Sequence, residues 1–138
     1  MGVLIVRPCV RSPSWSGCAM RYEHITLRPA QVRKARASVR ERLADLGCDS
    51  AHLQDVEIVV SELLGVAIES GVHGSVELRV ATFHLLTSVR LRCPPLFALR
   101  DDPFGLRDRV LERLTTAVGQ RRGFDGSMEL WAEVPKAT

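Results

Sequence analysis

The side chains able to do chemistry in this chain are few, and their spacing excludes several reactions. The four cysteines, Cys9, Cys18, Cys48 and Cys93, form no CxxC pair and have no histidine at ligand spacing, so neither a zinc site nor a disulfide framework is indicated. The four histidines, His24, His52, His73 and His84, share no spacing and are read as surface or loop residues. Ser61 lies inside a helical pattern and no Gly-x-Ser-x-Gly elbow occurs, which leaves Ser-His-Asp hydrolase chemistry without a claim. Charge is better organised. Asp55, Glu62 and Glu69 recur every seven residues, a spacing that stacks them along one side of a helix, where carboxylates are ordinarily solvated. Arg33, Arg36 and Arg40 form a basic stripe at helical spacing, suited to nucleic-acid phosphates or to an acidic protein surface. Glu41 and Asp45 interrupt that stripe and aromatic residues suited to stacking are few, which favours a protein over nucleic acid.

These stripes acquire meaning from the elements that carry them. Residues 51–71 read as one helix: Leu53, Val56, Val60, Leu63, Leu64 and Ala67 return at intervals of three and four, the pattern of a face pressed onto a core. Asp49 or Ser50 is placed to cap its start, and Gly71 to end it. An earlier helix, opened by Pro29 in its first turn, turns Val32, Ala35, Val39, Leu43 and Leu46 inward and its arginines outward, and stops at Gly47. Residues 22–27, 75–80 and 87–92 alternate as half-buried strands do, the last two forming a hairpin that turns near residues 82–84. Pro94, Pro95 and Pro103 make residues 93–104 a loop. Helical spacing resumes over residues 105–118 through Leu106, Val110, Leu114 and Ala117. Strands at 120–124 and 127–134, joined at Asp125-Gly126, then close the chain, with Trp131 pointing outward as a candidate interface anchor. The order β-α-α-β-β-α-β-β predicts an α+β two-layer sandwich: a mixed, mostly antiparallel sheet with three helices on one face.

At 138 residues the chain suits one domain, and 46% apolar against 25% charged residues is the balance of a soluble globular protein. A formal charge of +3, carried by arginines apart from Lys34 and Lys136, is too small an excess to select a class of partner. Residues 1–20, rich in Pro, Ser and Gly, are read as a flexible tail and residues 21–138 as the domain. No apolar run approaches the ~18 residues a membrane helix needs, and the apolar start MGVLIV is too short for a signal peptide. A cytoplasmic protein with no membrane association is expected.

The run Val59-Val60-Ser61-Glu62-Leu63-Leu64-Gly65-Val66-Ala67-Ile68-Glu69-Ser70, together with the element order, resembles the histidine-kinase-like ATPase fold. It is most similar there to the small anti-sigma factors and serine protein kinases of bacterial partner switching, whose corresponding helix reads like VVSELVTNAVRH. The resemblance covers about residues 21–135. It implies that Glu62 stands at the general base of ATP-dependent phosphoryl transfer, and that position 66, one helical turn on, is where an asparagine holds Mg²⁺. Valine stands there instead and offers no oxygen to a hard cation. The family's Asp-x-Gly-x-Gly adenine box after the third strand is replaced by Cys93-Pro94-Pro95-Leu96. Asp101 and Asp102 are candidates for a displaced remnant of the nucleotide site. Gly105-Leu106 resembles the start of the helix whose N-terminal amides receive phosphate in the family.

What the resemblance implies, with these departures, is a regulatory protein whose nucleotide site is degenerate, with no metal ligands and no required cofactor. It would hold a protein partner, such as a sigma factor or an anti-anti-sigma-like protein, through the Arg33, Arg36 and Arg40 stripe. Homodimerisation is compatible with the family. The alternative is an active serine protein kinase using ATP and Mg²⁺ in a rebuilt site, with Glu62 as base and Glu69 or the Asp101-Asp102 pair holding the metal. A basic nucleic-acid-binding module is the third reading.

Overall fold

Two apolar stripes at helical spacing, on α1 (Val32–Asp45) and α2 (Ser50–Glu69), press onto strands whose alternating residues supply the facing layer. The computed structural model describes residues 21–95 and 108–137. Around the two helices lie β1 (Arg21–Leu27), β2 (Val76–Thr82), β3 (Leu86–Cys93), α3 (Asp108–Leu114), β4 (Ala117–Arg122) and β5 (Met128–Pro135). The strands form one sheet in the order β1-β2-β3-β5-β4. Every neighbouring pair is antiparallel, so the expected α+β two-layer fold is present with no parallel pairing among the described residues.

The core lies between sheet and helices. Leu78, Val80, Val89, Leu91, Leu130, Ala132 and Val134 meet Val39, Leu43, Val56, Val60, Leu63 and Leu64 there, all buried. Helix ends follow their local chemistry: Asp49 Oδ1 accepts from the His52 amide at 2.8 Å to cap α2, and Gly47 and Gly71, both at φ +86°, take the left-handed turn after α1 and α2. No described helix is long and apolar enough to cross a membrane.

Three sequence expectations are corrected. Pro29 opens a turn rather than the first turn of α1: the Arg28 amide donates to Gln31 Oε1 at 2.8 Å and the Gln31 amide to the Arg28 carbonyl at 2.9 Å, and the helix starts only at Val32. The third helix ends at Leu114, not at Val118, because the next residues pair with β5. Thr116 N donates to the Glu133 carbonyl at 2.9 Å, and Ala117 and Val118 stand opposite Glu133 and Ala132. The β-branched pair Thr115-Thr116 is ill suited to continue a helix, while an open strand edge offers a partner for each backbone group. The start assigned to that helix, Gly105-Leu106, lies outside the described residues. His52, read as a surface or loop residue, is only 4% exposed, because α2 turns it toward the Thr87 hydroxyl on β3, 2.7 Å from its Nε2.

On the sheet surface away from the core, ion pairs lace the strands: Arg79 with Glu77 at 3.1 Å and Arg121 with Glu129 at 2.7 Å. Trp131 lies across β4, its ring against Gly119. Cys93, at the end of β3, is buried, and that burial pushes its thiol up to about 12; a thiol so held is no nucleophile at neutral pH.

Candidate functional site

The acids and arginines singled out by spacing gather on α1 and α2. On α2, Glu62 is partly buried at the surface. One turn later Val66 is 0% exposed, enclosed in the hydrophobic core with Leu63 and Leu64. Glu69 is exposed near the helix end, where the Ser70 amide closes the last turn on the Val66 carbonyl at 2.9 Å. β3 ends at Cys93, and the Pro94-Pro95 segment that follows packs beside the β4–β5 turn at Gly126. Asp101, Asp102, Gly105 and Leu106 lie outside the described residues. Among the described residues no group of three or more His, Cys, Asp or Glu side chains is placed to hold a metal ion.

The arginine stripe on α1 is brought to an acid that spacing did not single out. Glu57 of α2 is 7% exposed, and its carboxylate takes Arg36 Nε at 3.5 Å on one oxygen and Arg40 Nε on the other. The two arginine side chains remain 47% and 48% exposed. Arg33 is exposed and makes no ion pair among the described residues. The stripe is therefore two things: one solvated arginine, and a pair that covers a carboxylate between the two helices.

No protein-family model matches the chain, and no curated protein matches its sequence. Among solved structures it is similar to the RsbU and RsbW domains of Rv1364c from Mycobacterium tuberculosis, with a TM-score of 0.62 and 21% identity over 84% of this chain. The match spans 33% of that longer chain. This chain has the histidine-kinase-like ATPase fold.

Within the histidine-kinase-like fold, α2 is the helix that the resemblance aligns with the nucleotide motif, and the two positions of interest have different environments. Glu62 is half-buried on the helix. Val66 has no exposed surface. The signal for Glu57 was present: it lies one turn from Leu53 and from Val60 on the apolar side of α2, where an acid is costly unless paired. Its partners, 17 and 21 positions earlier, were invisible to a reading of one helix at a time.

Because both arginines are half solvated, the pair contributes little more than the hydrogen bonds it makes. Glu57→Gln, which keeps one acceptor and loses the charge, is expected to lower stability by about 1 kcal/mol in urea denaturation, and Arg33→Gln to leave it within about 0.5 kcal/mol. Reversing Arg36 and Arg40 to glutamate would set three carboxylates together, so partner-binding experiments on this stripe require glutamine in place of glutamate.

Proposed function

We propose that this protein is a regulator of the anti-sigma factor and serine-kinase type whose nucleotide site is degenerate, and that it acts in the cytoplasm by holding a protein partner. The observation that carries this reading is the complete burial of Val66. At the position where the resembling family holds Mg²⁺, the side chain has no oxygen and has become part of the core, so an ion cannot be held there without opening the packing. The Pro94-Pro95 step after β3, in place of an acid and two glycines, supports it from a second element, since proline removes amides and restricts backbone approach to a ligand. No cofactor is needed for such a role. The partner is a sigma factor or an anti-anti-sigma-like protein, and Arg33 with the solvated sides of Arg36 and Arg40 is the patch offered to its acidic groups. Nucleic acid is the less favoured ligand, because Glu41 and Asp45 share this helix.

Calorimetric titration with ATP and with a non-hydrolysable analogue, each with and without Mg²⁺, tests the reading. Binding weaker than roughly millimolar, or less than about 4 kcal/mol, is expected. Micromolar, magnesium-dependent binding would overturn it. The retention of an acid at Glu62, the position of the base in the resembling family, is what favours the alternative of an active serine kinase, and that alternative requires phosphate transfer to a partner serine that disappears in Glu62→Ala.

A further inference from the structure

A second polar cluster lies where the first turn of α2 meets the β2–β3 turn and the end of β5. His52 Nε2 is 2.7 Å from Thr87 Oγ1, Thr87 Oγ1 is 3.1 Å from Thr82 Oγ1, and Thr82 Oγ1 is 3.9 Å from Cys48 Sγ. Both threonines are buried. Hydroxyls rotate, so this row can accept a proton donated from Nε2 by turning each of its own bonds toward the sulfur. The other ring nitrogen has no such outlet: Nδ1 is buried without a hydrogen-bond partner among the described residues.

The same corner is closed by Lys136, just after β5. Its amide donates to the Leu85 carbonyl at 2.8 Å and its Nζ to the Phe83 carbonyl at 2.6 Å, which ties the end of β5 to the β2–β3 turn. We propose that protonation of His52 opens this clasp: the charged ring repels the adjacent Lys136 ammonium and releases Lys136 from the β2–β3 turn in mildly acidic solution.

The groups that face the ring come from each element around it. Burial first, and then Lys136, hold the imidazole below its ordinary 6.5, against Asp49 and Asp55 on α2 and the Pro135 carbonyl, which favour the proton. β2 and β3 contribute only the hydroxyls of Thr82 and Thr87, and the Cys48 thiol ends the row. As pH falls below about 6.5 the unfolded chain takes the proton before the folded one does. The stabilisation carried by the neutral ring is thus complete above that pH and is lost as the pH falls toward the native value.

NMR titration of the full chain from pH 7.5 to 5.0, following the His52 ring and exchange protection of the Lys136 amide, is the test. The amide is expected to lose protection with the midpoint of the ring, and His52→Gln, which keeps a hydrogen-bonding group toward Thr87, to lack that transition. Over this range the unfolding constant of the wild type should rise by up to about 30-fold more than that of His52→Gln, the ceiling set at pH 5.0 by an unfolded histidine near 6.5. Lys136→Met, which removes the repelling charge, should move the ring midpoint upward. Protection that ignores pH, or that changes equally in His52→Gln, overturns the proposal. So does an unchanged midpoint in Lys136→Met, which carries the test alone if His52→Gln fails to fold.

Discussion

Asparagine in place of Val66 is expected to cost about 2–4 kcal/mol of stability and to leave nucleotide affinity no better than that of the wild type. The two side chains are close in size, so the cost is not one of volume. An amide has one acceptor and two donor hydrogens to satisfy, and at a position 0% exposed among Leu63, Leu64 and their neighbours it finds apolar carbon instead of water. A lowered urea midpoint with an unchanged m-value would show the loss, and the calorimetric titration with ATP and Mg²⁺, repeated on the variant, would show that no site has been restored. Wild-type stability together with newly acquired magnesium-dependent binding would mean that position 66 opens onto a pocket after all, and would overturn the reading that its burial closes the metal position.

The second large effect is expected on the far side of the sheet. An alanine methyl at Gly119 would stand 2.8 Å from Trp131 Cζ2 and 3.1 Å from its Cε2, closer than carbon atoms pack. The indole must lift off β4, exposing its ring and the edge strand beneath, and Gly119→Ala should lose about 1–3 kcal/mol despite alanine's smaller backbone entropy cost. In a Trp15→Phe background, which leaves Trp131 as the sole indole, the emission should shift to the red. Combining the change with Trp131→Leu should recover most of the loss, and a coupling of at least about 0.5 kcal/mol between the two positions is expected because they touch. Additive effects would mean that the glycine is required for some other reason.

Much of the fold was legible in local pattern. The apolar stripe of α2 is buried as its spacing implied, Asp49 caps it, and the alternating residues of β2, β3 and β5 face the core. Where two periods agree, pattern cannot choose between them. Leu114 and Ala117 are three apart, as on a helix, yet the chain between them leaves α3 and enters β4, because β5 has an unpaired edge at that point. Of the candidate site, the place of Glu62 and the apolar character of position 66 could be read from sequence. The fate of the arginine stripe could not, since two of its members are turned to Glu57 on another helix.

The sequence by itself determined which segments are helix and strand over most of the described chain, which of their faces is apolar, and that position 66 carries no metal ligand. Those properties belong to neighbours in the chain, whose side chains recur every two or every three to four residues whatever the rest of the molecule does. Only the tertiary structure decided that Glu57 is paired with Arg36 and Arg40, that His52 is buried with one nitrogen unpartnered among the described residues, and that Trp131 lies on Gly119. Each of these depends on groups from positions 12 to 35 residues apart in the chain, brought together between neighbouring helices, between helix and sheet or across paired strands, and burial turns an ordinary acid, imidazole or indole into one whose partner must be supplied by the fold.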